Sequence, residues 1–213
     1  MFRIKRLVAM ATMALPVLFA TSAAWAETYT YVINHSEHDD IGTFTNKIVR
    51  DGNGGVTVDT KLRIAVKVLF IVVHRENSDR REVYKNGRMI AYDGTTTING
   101  DTIKVKGRAT DAGFVITGEK GTVTAPADVM TTNPWSMNIA KATTLMSTKT
   151  GTLDKVKVVG GETQAIEIGS GTMQAKHYRI TGDMTRDLWF DTKGALAKFQ
   201  FVRDGATITF TRE

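Results

Sequence analysis

The stretch His35-Ser36-Glu37-His38-Asp39-Asp40 is the densest collection of ligand-type side chains in the chain: two imidazoles and three carboxylates in six residues. Imidazoles and carboxylates converging from one turn are what a zinc-type site would use. The other two histidines, His74 and His177, lie far away in sequence. The plainer reading is a polar hairpin tip between Tyr29–Asn34 and Ile41–Arg50, so no metal and no other cofactor is expected. His74 falls in the apolar phase of an alternating run. It is either a buried base or a strand-end imidazole held by Glu76 or Glu82, and the habit of buried polar groups to find partners favours the second. Ser136 with His177 and Asp183 or Asp191 supplies a nucleophile, a base and an orienting acid on paper. No Gly-x-Ser-x-Gly elbow and no α/β alternation is present to hold them, so no catalytic residue is assigned. The chain has no cysteine, which excludes thiolate metal sites, cysteine nucleophiles and disulfides.

Charge and aromatic rings offer binding chemistry instead. Lys61, Arg63 and Lys67, and separately Lys104, Lys106 and Arg108, place cations on one face of a strand. Such stripes could meet phosphate headgroups or acidic polysaccharide, although an ordinary solvated face is the default. Arg75–Glu82 mixes both signs and reads as a solvated loop with weak local ion pairs. The large aromatics are mostly core. If the sheet that carries them is curled and not filled by its own side chains, some line an apolar cavity. Phe70, Tyr84, Tyr92, Trp135, Tyr178, Trp189 and Phe201 are the candidates for that lining.

The elements that must position these groups are strands. Turn signals recur at Asp51–Gly55, Asn86-Gly87, Asp93-Gly94, Asn99-Gly100-Asp101, Asp111–Gly113, Gly118–Gly121, Gly160-Gly161, Gly169–Gly171, Lys193-Gly194 and Asp204-Gly205. Val-, Ile-, Thr- and Tyr-rich runs lie between them, the pattern of an antiparallel meander. From Val56 to His74 the even positions are apolar except Thr60 and His74 itself, and the odd positions are polar except Ala65 until Leu69. Beyond Leu69 both phases are apolar, so something is expected to cover the outer face there. As one strand this run would extend about 60 Å, too far to stay flat, so it must bend, bulge or break. Lys176–Thr181, Arg186–Asp191, Ala195–Arg203 and Ala206–Thr211 read as further strands. Thr124–Trp135 holds Pro126 and Pro134 and reads as a crossover loop. Asn133 as N-cap and Pro134 at the first helical position predict a short helix over Trp135–Ala142, lying over the mouth of the sheet.

The leading segment sets the compartment. Phe2–Arg6 is basic, Leu7–Ala20 is apolar and uncharged, and Ala24-Trp25-Ala26 is a small-x-small site. That order predicts a signal peptide at 1–26, cleaved after Ala26, and a periplasmic or secreted product that is not a lipoprotein. No later segment is long and apolar enough for a transmembrane helix. Arg3, Lys5 and Arg6 would leave with the peptide, lowering the formal charge from +6 to 25 basic against 22 acidic residues. So weak a basic balance gives no reason to expect nucleic acid. Glu27–Glu213 fits a single β-rich domain able to bury a full core.

Several of these pieces together resemble a bacterial family of secreted proteins of unknown function. They are Tyr29–Ile33, Ile41-Gly42, Arg81–Tyr84 with Asn86-Gly87, Ala125-Pro126 to Asn133-Pro134-Trp135, Tyr178–Asp183, Leu188–Asp191 with Gly194, and Asp204–Thr209. The resemblance spans nearly all of 27–213 and implies no activity and no catalytic residue. The C-terminal pattern is also similar to a second uncharacterised periplasmic family. More distantly, both resemble the curled antiparallel sheets of outer-membrane lipoprotein carriers, which hold acyl chains in a half-barrel covered by helices. This chain has little helix, so the resemblance does not extend to a mobile helical lid.

The expected fold is therefore all-β: one highly curved antiparallel sheet, a half-barrel or open barrel, with a short helix near 135–142. A two-sheet sandwich is the alternative. The expected function is a non-catalytic binding or carrier module for an apolar or amphipathic, lipid-like small molecule. An envelope protein as partner of a structural or interaction module is the alternative, and a hydrolase or metalloenzyme the weaker one.

Overall fold

The nineteen-residue alternating run is two strands, not one. In the computed structural model, which describes residues 24–213, the chain reverses at Leu69-Phe70. The run becomes β3 (Gly55–Val68) and the start of β4 (Ile71–Lys85). Before them lie β1 (Trp25–His35) and β2 (Asp39–Arg50). After them come β5 (Arg88–Ile98), β6 (Asp101–Thr110), β7 (Gly113–Gly118) and β8 (Gly121–Ala125). The second half holds β9 (Met130–Thr131), β10 (Thr144–Met146), β11 (Leu153–Ile168), β12 (Gly171–Gly182), β13 (Arg186–Phe190), β14 (Leu196–Arg203) and β15 (Ala206–Arg212). Most of the expected signal peptide, residues 1–23, lies outside the described residues.

The fifteen strands of the described residues belong to one sheet, in the order β8-β7-β6-β5-β4-β3-β2-β1-β15-β14-β13-β12-β11-β10-β9. Every pair is antiparallel except β9–β10. The sheet thus meanders outward in both directions from a central β1–β15 pair, in which Tyr31 to His35 face Arg212 to Ile208. The two edges, β8 and β9, share no ladder and are joined by the short loop 126–129. Across this seam the 147–152 turn reaches back: Glu119 N donates to Thr150 O at 3.1 Å, and Tyr92 Oη donates to Thr148 O. The expected single, unclosed, curled antiparallel sheet is the observed one.

Alternation decides what faces inward. In β3, Val58, Thr60 and Leu62 are buried while Asp59, Lys61 and Arg63 face out. Outside, Arg81 pairs with Asp59 at 2.6 Å and Arg63 with Asp79 at 2.7 Å, exposed contacts worth ~0–1 kcal/mol each. Inside, Tyr31, Ile33, Phe44, Ile180, Leu188 and Phe190 form one apolar cluster. Ile48, Val58, Tyr92, Phe114, Ile116 and Met146 form another. Each of the large side chains contributes about 1.5–3 kcal/mol by leaving water.

A buried polar belt lies between β2, β3, β4 and the crossover loop. Glu82 accepts from Tyr84 Oη at 2.6 Å, Asn133 Nδ2 at 2.9 Å and Thr131 Oγ1 at 3.0 Å. Thr60 Oγ1 donates to Asn46 Oδ1 at 2.8 Å, and Asn133 Nδ2 to Thr60 Oγ1 at 3.1 Å. Burial nevertheless pushes the Glu82 carboxyl above its ordinary range. This belt explains why the short helix begins later than its sequence suggests. Asn133 is committed to the interior, so Ser136 is the N-cap, accepting from Asn138 N, and the helix is a 3₁₀ stretch over Met137–Lys141.

Two glycine signals that read as turns serve otherwise. Gly94 sits inside β5, where an added Cβ would lie 2.6 Å from the Tyr92 hydroxyl. Gly160 and Gly161, at φ 113° and 117°, form a β-bulge in β11. No helix among the described residues is long and apolar enough to cross a membrane, which concerns helices only.

Candidate functional site

Antiparallel order brings the β1–β2, β3–β4 and β14–β15 turns to the same end of the sheet. Between them opens a cavity of about 290 Å³ with walls of Ile41, Ile64, Val66, Phe201, Ile208 and Phe210. Its rim carries His35, Glu37, His38, His74, Glu76, Arg203 and Asp204. It shares Ile64, Glu76, Phe201, Arg203 and Phe210 with a deeper cavity of about 200 Å³. Phe44, Phe199, Arg80, Lys149, Asp154 and Arg186 line the deeper part, so the two form one funnel. Phe199 and Phe210 stack with centroids 4.0 Å apart, and Phe44 stands edge-on to both.

Three guanidiniums, Arg80, Arg186 and Arg203, stand among the aromatic walls of this space, together with Lys149 and the carboxylates Glu76 and Asp154. The Arg186 and Arg203 guanidinium carbons lie 5.3 and 5.5 Å from the centre of the Phe201 ring. Arg186 Nη1 donates to the Thr132 carbonyl at 2.8 Å, and Arg80 Nε to Ser78 Oγ at 2.7 Å. Burial first, then repulsion from Arg203 and Arg80, pushes the Arg186 pKa down to about 10, leaving it a cation at neutral pH. Among the described residues, none of the three has a carboxylate within ion-pair distance. Glu76 is taken by Lys149 Nζ at 3.0 Å, with His74 Nε2 at 4.0 Å. Asp154 is pushed toward its neutral form by burial and then by Asp183. Apolar walls with unneutralised guanidinium forks suit an anionic amphiphile: head on the arginines, tail on the rings.

Of the aromatics expected to line a cavity, only Phe201 reaches the funnel. Tyr84 and Trp135 border a different concavity, of about 520 Å³, near the crossover loop, and both also pack in the core. Tyr92 is fully buried. Tyr178 packs against Phe190 and donates from Oη to Met137 Sδ at 3.7 Å. Trp189 faces the opposite side of the sheet, stacked on His177 at 4.7 Å and donating from Nε1 to Gln164 Oε1 at 3.2 Å. Phe70 lines nothing: at 99% exposure it caps the β3–β4 turn. These seven side chains are therefore spread over the core, two faces of the sheet and several cavities. Residue type marks a ring as large and apolar, but phase along the strand decides its face. That same phase marks the missed arginines, since Arg80 and Arg186 fall in step with inward residues such as Glu82 and Leu188.

The histidines divide. His35, Glu37 and His38 each offer a donor atom, all within 4.8 Å of one another. His35 Nδ1 accepts from Glu37 N at 3.1 Å, leaving Nε2 for a ligand. These three could hold a transition-metal dication at the funnel rim, which His74 also lines. His177 stands apart, bonded to Asp187 at 2.8 Å. Ser136 accepts from Asn138 N as a helix cap, and among the described residues it makes no hydrogen bond with His177, whose ring nitrogens meet Asp187 and Gln164. Of the basic stripes, Lys61, Lys104 and Lys106 meet in one groove, of about 640 Å³, where with Lys47 they lie among Asp59, Asp79 and Asp93; Arg63, Lys67 and Arg108 do not line it. It is larger than the funnel, but its walls are the solvent face of the sheet and carry both signs.

Fold and site together define an all-β protein built on one curled, unclosed sheet with a funnel at one end. The chain belongs to the DUF6134 family, a domain of unknown function, which matches residues 31–213. Among solved structures it is similar to a β-barrel-like protein of the domain of unknown function DUF1849 from Brucella abortus. That likeness has a TM-score of 0.64 at 13% identity and covers 87% of this chain and 95% of the other, so it concerns the fold alone. No curated protein matches.

Proposed function

We propose that this protein is a non-catalytic binding or carrier module for an anionic amphipathic small molecule, held in the funnel. The observation that carries the reading is Arg186. A guanidinium with its charge intact lies in a cavity walled by aromatic rings and polar groups, beside two further arginines; among the described residues no carboxylate is within ion-pair distance of it, and Asp154 of the same cavity attracts it only at longer range. Burying charge without a counter-ion is costly, so the arrangement suits an anion supplied from outside. The two parts of the funnel together reach the ~300–1,000 Å³ of small-molecule sites. The reading includes export and cleavage after Ala26. Cleavage there would trim Trp25 and Ala26, which pair Arg50 and Val49 at the very end of β1, and leave the rest of that ladder intact.

The test starts with Glu27–Glu213 purified from a bacterial periplasm, native mass spectrometry and organic extraction of what co-purifies. Calorimetric titration with laurate and with dodecanol follows. Laurate should bind and dodecanol bind more weakly, and Arg186→Met should weaken laurate about tenfold or more, the scale of one charge-assisted contact. An apo mass together with no laurate heat overturns the reading.

A further inference from the structure

The β3–β4 hairpin outruns its neighbours. Its pairing with β2 ends at Ile64, opposite Gly42, and its pairing with β5 ends at Glu76, opposite Ile98. Beyond those points the arms pair with each other, from Ala65↔Arg75 to Val68↔Ile71, and the last outside ties are at Arg75, whose N donates to Asn99 Oδ1 at 2.8 Å and whose carbonyl accepts from Asn99 N at 3.0 Å. At ~3.3 Å per residue they project roughly 13 Å from the sheet. The projection is apolar: Val68, Leu69, Phe70, Ile71, Val72 and Val73 are 43, 85, 99, 68, 38 and 54% exposed.

This turn differs from the others in the same chain. Leu69 and Phe70 take φ 46° and 71°, the left-handed pair that tight hairpins normally give to Asn-Gly or Asp-Gly. Asn86-Gly87, Asn99-Gly100 and Asp204-Gly205 use those residues here. A bulky residue in that region costs about 1–2 kcal/mol, and full exposure forgoes its burial as well. The polar residues of the projecting segment are Lys67, His74 and Arg75, all of cationic type. Glu76, the only carboxylate between Asp59 and Asp79, is buried against Lys149.

We propose that Val68–Val73 wedges into an anionic lipid bilayer. A convex tip two strands wide offers no concavity for a folded partner to fill, and its cations stand beside its apolar residues. It does suit the headgroup–acyl boundary, with aliphatic and aromatic side chains below and cations at headgroup level. Val66 and His74 of this hairpin also line the funnel mouth. Docking by the tip therefore turns the mouth toward the membrane, a consequence that rests on the funnel reading, whereas the wedge itself does not.

The experiment is flotation of Glu27–Glu213 with phosphatidylcholine vesicles, with and without phosphatidylglycerol. Wild type should float with the anionic vesicles. The double variant Leu69→Asn/Phe70→Gly, which restores ordinary turn chemistry, should lose about tenfold or more of that binding while melting no lower than wild type. Lys67→Gln/Arg75→Gln should weaken binding to the anionic vesicles only. Laurate titration of the tip variant without vesicles should match wild type, so the wedge and the funnel fail separately. Wild type that floats with neither vesicle overturns the wedge, as does a tip variant that floats equally well. A concentration-dependent dimer that the tip variant abolishes, with no flotation, overturns it in favour of a second copy of the chain.

Discussion

Two long hairpins leave the sheet at opposite ends and treat their apolar tips in opposite ways. β11–β12 outruns β13, which pairs only with Lys176–Ile180. Its tip does not stay in water. Ile166 is 8% exposed and packs with Trp189 and Ala197, with Ile168 and Met173 alongside. Gly169 N donates to the Arg212 carbonyl at 2.8 Å, tying the turn to β15. The Gly160-Gly161 bulge supplies the bend, and the outer face of β13 and β14 supplies an apolar surface to land on. β3–β4 has neither device. Its bulge, between Val66 and Lys67, contains no glycine, and the outer face behind it carries Lys61 and Arg63. An apolar tip is therefore ordinary here when the chain provides a hinge and a landing surface. The tip that lacks both is the one that asks for a partner outside the molecule.

The comparison can be broken most severely at the landing surface. Trp189→Ala should cost about 3 kcal/mol and release the β11–β12 tip, read as a lower urea midpoint with early exposure of that hairpin in hydrogen exchange. Removing the hinge comes next. Gly160→Val places a Cβ 2.5 Å from the His177 carbonyl at φ 113°, and should cost about 2 kcal/mol by the same urea assay. The opposite sign is expected at the other tip: Leu69→Asn/Phe70→Gly should gain about 1 kcal/mol, seen as a raised midpoint with unchanged slope. Phe70→Ala alone should stay within about 0.5 kcal/mol of wild type, because the ring touches only water.

A final measurement sharpens the background that both hairpins share. Glu82 holds its proton more tightly in the folded protein than in the unfolded chain, where its pKa is near the ordinary 4.5. The folded state thus binds more protons in that window, and stability falls as pH rises from the ordinary value through the raised one. Glu82→Gln should flatten this slope in melting curves taken from mildly acidic to neutral pH. The hairpin variants should shift the curves without changing their slope.

Much of this fold is legible in the chain. Alternation from Val56 to Val68 gives both faces of β3, and Asn-Gly and Asp-Gly mark the turns at 86, 99 and 204. Leu69-Phe70 is not legible as a turn, because nothing in those side chains announces a positive φ. Continuous apolar residues there read as a covered segment, and the structure corrects this to an exposed one. Gly160-Gly161 and Asp93-Gly94 mislead for the converse reason: a bulge and a close ring contact ask for glycine as a turn does. The funnel is half legible. Phe201 is found by type, whereas Arg80, Arg186 and Arg203 are found only once a cation in the inward phase of a strand is read as a signal in its own right.

The β1–β15 pair has one more consequence. Ser36 and Thr207, bonded beside it, are 171 positions apart in sequence, so the centre of the sheet is assembled from the most distant parts of the chain. In the order of the open sheet the chain's two ends meet at its centre, between β1 and β15, while the two edges of the sheet meet at loop 126–129. A permuted chain joining Glu213 to Glu27 and opening in that loop would run β9 to β15 and then β1 to β8. Each strand would then follow its spatial neighbour. Contact order would fall, and with it the time that β1 spends as a bare edge during folding.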